Sequence, residues 1–180
     1  MKKRITKVTT KTGDDGSTGM ADGTRLKKSD PIIHCIGEID ELNSLIGYLA
    51  SANDLKRYKE SLIRIQNSLF NIGGSLSLGS DDSITEQEIS FVEEEINLLN
   101  ADLSSLENFI LPGGHPTSAL AQLVRSVCRR CERSLVSLDE KQSIEDRKII
   151  YINRLSDLFF VMARSINKEK NCQEVFWQQT

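Results

Sequence analysis

Between positions 109 and 133 the chain gathers an aromatic residue, Phe109, a Pro112-Gly113-Gly114 turn and four arginines, Arg125, Arg129, Arg130 and Arg133. Side chains three or four positions apart share one side of a helix, so Arg125, Arg129 and Arg133 form a row one turn apart. Glu132 is the one acid inside the row. Guanidiniums crowded in this way repel one another, and a polyphosphate, or carboxylates from another chain, would relieve them through forked hydrogen bonds. The plainer alternative is a solvated basic helix face.

A second anion-binding candidate lies near the start. Thr10-Lys11-Thr12-Gly13-Asp14-Asp15-Gly16-Ser17-Thr18-Gly19 mixes glycines, hydroxyls and a lysine, and Gly23, Arg25, Lys27 and Lys28 follow. Glycines let backbone N–H groups turn toward a bound anion, hydroxyls donate to phosphate oxygens, and lysines neutralise charge. The stretch is not a Walker loop, because G-x-x-x-x-G-K-[ST] is absent, and a simple turn in an N-terminal arm would read the same way. Two further polar clusters sit in helical patterns. Gly37-Glu38-Ile39-Asp40-Glu41-Leu42-Asn43 crowds three carboxylates, and Tyr151-Ile152-Asn153-Arg154-Leu155-Ser156-Asp157 sets an amide among polar residues. Both fit a helix surface, and Asp40 also fits a pair with an arginine across a helix or subunit boundary. His34, at a helix start, and His115, in the turn before a helix, make weak ligands or acid-base groups.

The bulk properties restrict the function classes. At 180 residues one domain with a sizeable core is expected, and a net charge of -3 gives no reason to expect a nucleic-acid partner. No run approaches the 18 apolar residues of a membrane span, and the start MKKRITKVTT has no apolar stretch behind its basic residues, so a cytoplasmic protein is expected. Four cysteines, Cys35, Cys128, Cys131 and Cys172, are then reduced thiols. Cys128 and Cys131 spell C-x-x-C, but no second pair completes a zinc site, and they fit the apolar stripe Leu120, Val124, Val127, Cys131, Leu135, Leu138.

The elements that must position these groups are helices. Apolar residues alternate by three and four over 30–52, 54–78, 84–103, 116–139 and 143–168. Asp30 before Pro31 reads as an N-cap with proline at the first helical position, Thr85-Glu86-Gln87-Glu88 as a capping box, and Asn53-Asp54 as a turn with a fresh N-cap. Gly79-Ser80-Asp81-Asp82 reads as a short polar loop, and no stretch alternates long enough to predict a sheet. The expectation is an all-α, up-and-down five-helix bundle over 30–169, with an irregular arm over 1–29 and a tail over 170–180 that carries no functional signal.

Taken together, Thr10-Lys11-Thr12-Gly13-Asp14 with Gly16, the run Gly37 to Ser44, Phe109-Ile110-Leu111-Pro112-Gly113-Gly114, Arg125-x-x-x-Arg129-Arg130-x-Glu132-Arg133 and Tyr151 to Asp157 resemble the motif series of the PduO-type ATP:cob(I)alamin adenosyltransferases, in order. The resemblance implies a ferritin-like bundle, a homotrimer with sites between subunits, ATP as co-substrate, magnesium, and cobalamin as the corrinoid substrate. It implies that Thr10, Lys11, Thr12, Gly13, Thr18, Gly19 and Lys28 wrap ATP, that Arg129, Arg130, Glu132 and Arg133 complete the nucleotide site beside Asn153, and that no protein side chains form a dedicated metal site. Asp40 and Arg125 match a salt-bridged pair joining subunits, and Phe109 matches the aromatic on the lower face of the corrin. A corrinoid reductase or a B12-dependent enzyme is the expected protein partner.

In the implied reaction Co(I) attacks the 5′ carbon of ATP and the triphosphate leaves, so adenosylcobalamin forms without a general base. Positive charge on the leaving group and in-line positioning are what the protein must provide. Two other functions fit some of these residues: a helical scaffold whose basic row recognises acidic partners, and an ATP-dependent phosphotransferase with Asp14 and Asp15 as its available carboxylates.

Overall fold

The computed structural model describes residues 9–52 and 55–179. Its helices are α1 (Pro31–Ala50), α2 (Lys59–Leu78), α3 (Glu86–Asn100), α4 (Pro116–Asp139) and α5 (Asp146–Glu169). Each begins where the chain supplies an end signal or a tertiary one. Asp30 accepts from the Ile32 N–H at 3.0 Å ahead of Pro31, and Thr85 accepts from the Glu88 N–H at 3.3 Å. The second half of the expected capping box is diverted: the Glu88 carboxylate takes Arg64 at 3.0 Å and Ser68 at 3.1 Å on α2. His115 caps α4, its Nδ1 accepting from the Thr117 N–H at 3.3 Å, with Pro116 next.

Hydrogen bonds between helices fix their directions. Ser118 meets Ala163 and Asn153 meets Glu132, so α4 and α5 run antiparallel. Glu88 with Arg64 and Glu95 with Ser61 make α2 and α3 antiparallel, whereas Glu93 with Arg154, and Ser104 just beyond α3 with Arg164, set α3 parallel to α5. Helix α1 packs on both α2 and α4. Helix α5 is covered from several sides, and Tyr151, Ile152, Leu155, Leu158, Phe159, Val161, Met162, Ala163 and Ile166 are all buried. Each large side chain so enclosed contributes about 1.5–3 kcal/mol against the ordering entropy of the chain.

On α4 the stripe Val124, Val127, Cys131, Leu135 and Leu138 is buried with Cys128, and Leu120 is partly covered. Burial, with the charge of Glu38 adding to it, pushes the Cys35 and Cys131 thiols up to about 12; burial raises Cys128 as well. These thiols act as small apolar residues, and Cys131 Sγ donates to the Glu38 carbonyl at 3.1 Å.

Two expectations are corrected. Helix α2 begins at Lys59, after a 3-10 turn over Lys56–Tyr58, rather than at 54; the turn with an N-cap assigned to Asn53-Asp54 lies outside the described residues. A hairpin, β1 (Ser17–Gly19) and β2 (Arg25–Lys27), pairs antiparallel with Thr18 opposite Leu26, where no strand was expected. Three-residue strands are too short to show alternation, and Gly23, at φ +89, turns the connection while Asp22 accepts from the Thr24 N–H at 2.8 Å. The tail beyond α5 pairs with the loop that carries Phe109. Among the described residues, no helix is long and apolar enough to cross a membrane.

Candidate active site

A cleft of about 650 Å3 opens between the 106–110 loop, α4 and α5. Leu106, Phe109, Ile110 and Phe160 make its apolar wall, and Arg125, Arg129 and Asp157 its polar one. Phe109 is 77% exposed, a large apolar ring held at the mouth of the cleft. Across from it, Arg125 donates to Gln122 at 2.8 Å and lies 5.9 Å from the Phe160 ring centroid. Burial, and then the neighbouring charge of Arg129, hold the Arg125 pKa below the usual guanidinium value. Arg125 remains a cation at neutral pH, so it and Arg129 repel until an anion arrives.

The loop bearing Phe109 is fixed from α5. Asn167 Oδ1 accepts from the His115 N–H at 2.9 Å, and its Nδ2 donates to the Gly113 carbonyl at 3.1 Å. Ser118 donates to the Ala163 carbonyl at 2.8 Å beneath the same turn. Gly114 sits at φ +91 against this clamp, and a Cβ there would overlap Asn167, with Nδ2 at 2.6 Å. Gly114→Ala is therefore expected to cost about 2–3 kcal/mol. Thermal unfolding should register it as a fall of roughly 4–12 °C in Tm. An unchanged Tm would show that the clamp is dispensable.

On the other side of Arg129 lies a polar cleft of about 590 Å3, lined by Arg129, Glu132, Arg133 and Asn153 among others. Asn153 donates to Glu132 at 2.8 Å and accepts from Arg154 at 2.9 Å, and Arg154 pairs with Glu93 at 2.8 Å. This chain of contacts fixes the amide and the carboxylate, while Arg133 donates to the Arg129 carbonyl at 2.9 Å. Among the described residues, Arg125, Arg129 and Arg133 have no carboxylate partner. Arg130 differs: it turns to α1 and pairs with Glu41, with Glu38 at 3.9 Å, so those two acids neutralise Arg130 rather than the row.

Residues 10–28 of the N-terminal arm contact one another. Lys28 donates to the Gly13 carbonyl at 2.8 Å, the Lys28 N–H to the Gly16 carbonyl at 2.9 Å, and Arg25 to Thr12 and Ser17. Thr10 and Thr12 hydroxyls meet at 3.0 Å, and Lys11 adopts φ +59, which exposes backbone in a loop. Thr18 and Gly19 lie in β1. The arm is tied to α2 through Ala21, whose N–H donates to Ser77 Oγ at 2.9 Å. Neither cleft lined by Arg129 includes an arm residue. Asp40 is exposed in an apolar groove between α1 and α2, beside Phe70 and Gly73, and makes no pair with Arg125 within the chain.

Residues 8–166 match the family model described as cobalamin adenosyltransferase. The chain belongs to that family. A cobalamin adenosyltransferase of Cupriavidus metallidurans is 41% identical over 180 residues, covering 99% of this chain and 98% of that one. The corrinoid adenosyltransferase of Bacillus subtilis is 37% identical, covering 97% of this chain and 93% of its own. A phenylalanine-to-alanine variant of a PduO-type ATP:corrinoid adenosyltransferase from Lactobacillus reuteri, complexed with cobalamin and ATP, superposes with a TM-score of 0.90 at 33% identity, covering 96% of this chain and all of that one.

In this adenosyltransferase the motifs of the arginine helix and of the Phe109 loop converge on one cleft, and Glu132 and Asn153 meet directly. The arm and Asp40 stay apart from them. Sequence reasoning missed Asn167, which clamps the Phe109 loop, and Arg154, which holds Asn153. No short motif marks Asn167, whose partners lie more than 50 positions away, and Arg154, although inside the motif Tyr151 to Asp157, works through its neighbour's amide and Glu93 on α3.

Proposed function

We propose that this adenosyltransferase moves the 5′-deoxyadenosyl group of ATP to the cobalt of cob(I)alamin at a composite site, with the arm of one subunit closing over the arginine helix of another in a homotrimer. The carrying observation is that Phe109 and Arg129 line one cleft. In the Lactobacillus reuteri structures the substituted phenylalanine and arginine lie twenty positions apart, the separation of Phe109 and Arg129 here. The free apolar groove around Asp40, with Phe70 69% exposed at its edge, supports a subunit boundary there, where Asp40 would meet Arg125.

The reaction needs one bond made and one broken. Cobalt's electron pair forms the Co–C bond to the 5′ carbon, and triphosphate departs with the electrons of the C–O bond. Arg129 and Arg133 supply fixed positive charge where the triphosphate develops its own, in a setting already arranged before reaction. Thr10, Lys11, Thr12, Gly13, Thr18, Gly19 and Lys28 wrap the nucleotide, and Glu132 and Asn153, locked by Arg154, orient it. Arg130 pairs with Glu41 on α1, so its charge is spent outside the row. Phe109 occupies the lower corrin face and keeps water or an axial base from the cobalt.

Among the described residues, no group of three or more His, Cys, Asp or Glu side chains is placed to hold an ion. Magnesium would arrive with the triphosphate, adding charge neutralisation to that of the arginines. Buried thiols at Cys35, Cys128 and Cys131 suit a reducing, cytoplasmic setting, where a reductase supplies Co(I) or a B12-dependent enzyme accepts the product.

Mixing the protein with cob(I)alamin and Mg-ATP should produce the adenosylcobalamin spectrum with one triphosphate per turnover. Release of ADP instead would point to a phosphotransferase, and no turnover to a binding bundle.

A further inference from the structure

The Phe109 loop has a second support, from the tail beyond α5. After α5 the chain reverses: the Cys172 N–H donates to the Asn167 carbonyl at 2.9 Å, and the tail then runs antiparallel to 109–111. The Leu111 N–H donates to the Val175 carbonyl at 2.8 Å and the Trp177 N–H to the Phe109 carbonyl at 2.7 Å, with Ile110 opposite Phe176. The Trp177 ring meets the Phe109 ring edge-on, centroids 6.3 Å apart at 69°. The tail is anchored by Arg164, only 5% exposed, whose guanidinium grips both oxygens of Glu174 at 3.0 and 3.3 Å and the Ser104 carbonyl at 2.9 Å.

A ring that is 77% exposed has few neighbours to choose its rotamer, and each free rotamer dilutes the productive one. Trp177 is the ring contact recorded for Phe109 among the described residues. We propose that Trp177 is a positioning residue for this reaction: held by the tail strand and the Arg164–Glu174 pair, it fixes Phe109 in the cleft it shares with Arg125 and Arg129. The inference rests on Phe109 acting at the lower corrin face. Trp177 lines neither cleft of Arg129, and its role is assigned through its contact with Phe109.

The test uses the full-length protein and four variants: Trp177→Ala, Trp177→Phe, Phe109→Ala and the double Phe109→Ala/Trp177→Ala. Trp177→Ala should lower kcat from cob(II)alamin with reductant about tenfold, since misplacing a reacting contact is costly. KM for ATP should stay within about twofold, because the nucleotide site is untouched. Trp177→Phe should restore most of the rate, and Trp177→Ala should add nothing in the Phe109→Ala background. Trp177 is the single tryptophan of the chain, so its emission reports the contact without turnover: it should shift in Phe109→Ala. Unshifted emission, unchanged kcat in Trp177→Ala, or additive losses in the double variant would each overturn the inference. If Phe109→Ala is impaired while Trp177→Ala is not, the positioning role alone falls. If Phe109→Ala is itself as active as wild type, the lower-face reading falls and Trp177 has nothing to position.

Discussion

Arg129→Ala is expected to lower kcat/KM for ATP by about 10²- to 10³-fold while the protein keeps its fold and assembly. Arg129 is the residue common to both clefts, so it is the cation that can face the triphosphate from the corrin side. Its charge is not used elsewhere: among the described residues no carboxylate pairs with it, and after burial it helps hold the Arg125 pKa down. Removing an exposed, unpaired guanidinium changes stability by no more than about 0.5 kcal/mol, so Tm should hold while catalysis falls. Arg130→Ala offers the contrast, because it breaks the exposed pair with Glu41, worth at most about 1 kcal/mol, and leaves the row intact. Arg129→Lys should fall between, retaining charge but losing the planar fork. Steady-state kinetics with sedimentation on the same samples decides the matter, and wild-type kcat/KM in Arg129→Ala would sink the assignment.

The limits of the sequence reading follow from the kind of force involved. Helix α4 was legible over its full length, 116–139, since Pro116 marks the start and one apolar stripe runs its length. Helix α2 was misplaced by five residues because a polar Asn53-Asp54 pair resembles a cap, whereas the chain first makes a 3-10 turn that buries Tyr58. The row Arg125, Arg129 and Arg133 follows from helical spacing alone, but Arg130's separate partner on α1 depends on how two helices cross. The tail was illegible for another reason: its ties to Phe109 are main-chain hydrogen bonds, which any sequence can make, and its anchor joins Glu174 to an arginine buried on α5. Motif residues of the arm were readable, yet their separation from the clefts of Arg129 was not, because motif order carries no information on distance in the fold.

Phe109→Ala should divide the reaction into its two halves. With cob(II)alamin and a reductant, turnover is expected to fall about 10- to 100-fold, since an apolar group near a metal controls access of water and thereby its redox potential. With cobalamin already reduced to Co(I), the fall should be much smaller, because a four-coordinate cobalt has no lower ligand left to exclude. Loss of binding is not the expected cause, because Leu106, Ile110 and Phe160 still line the apolar side of the cleft. Loss of folding is not either, because Phe109 is 77% exposed and its Trp177 contact is worth about 0.5–1.5 kcal/mol. The decisive readout is the spectrum of bound cob(II)alamin with ATP, in which wild type should show the four-coordinate species and Phe109→Ala the five-coordinate one. Equal four-coordinate fractions in the two proteins would leave the exposed ring without this task, and its place at the cleft mouth would then serve corrin packing alone.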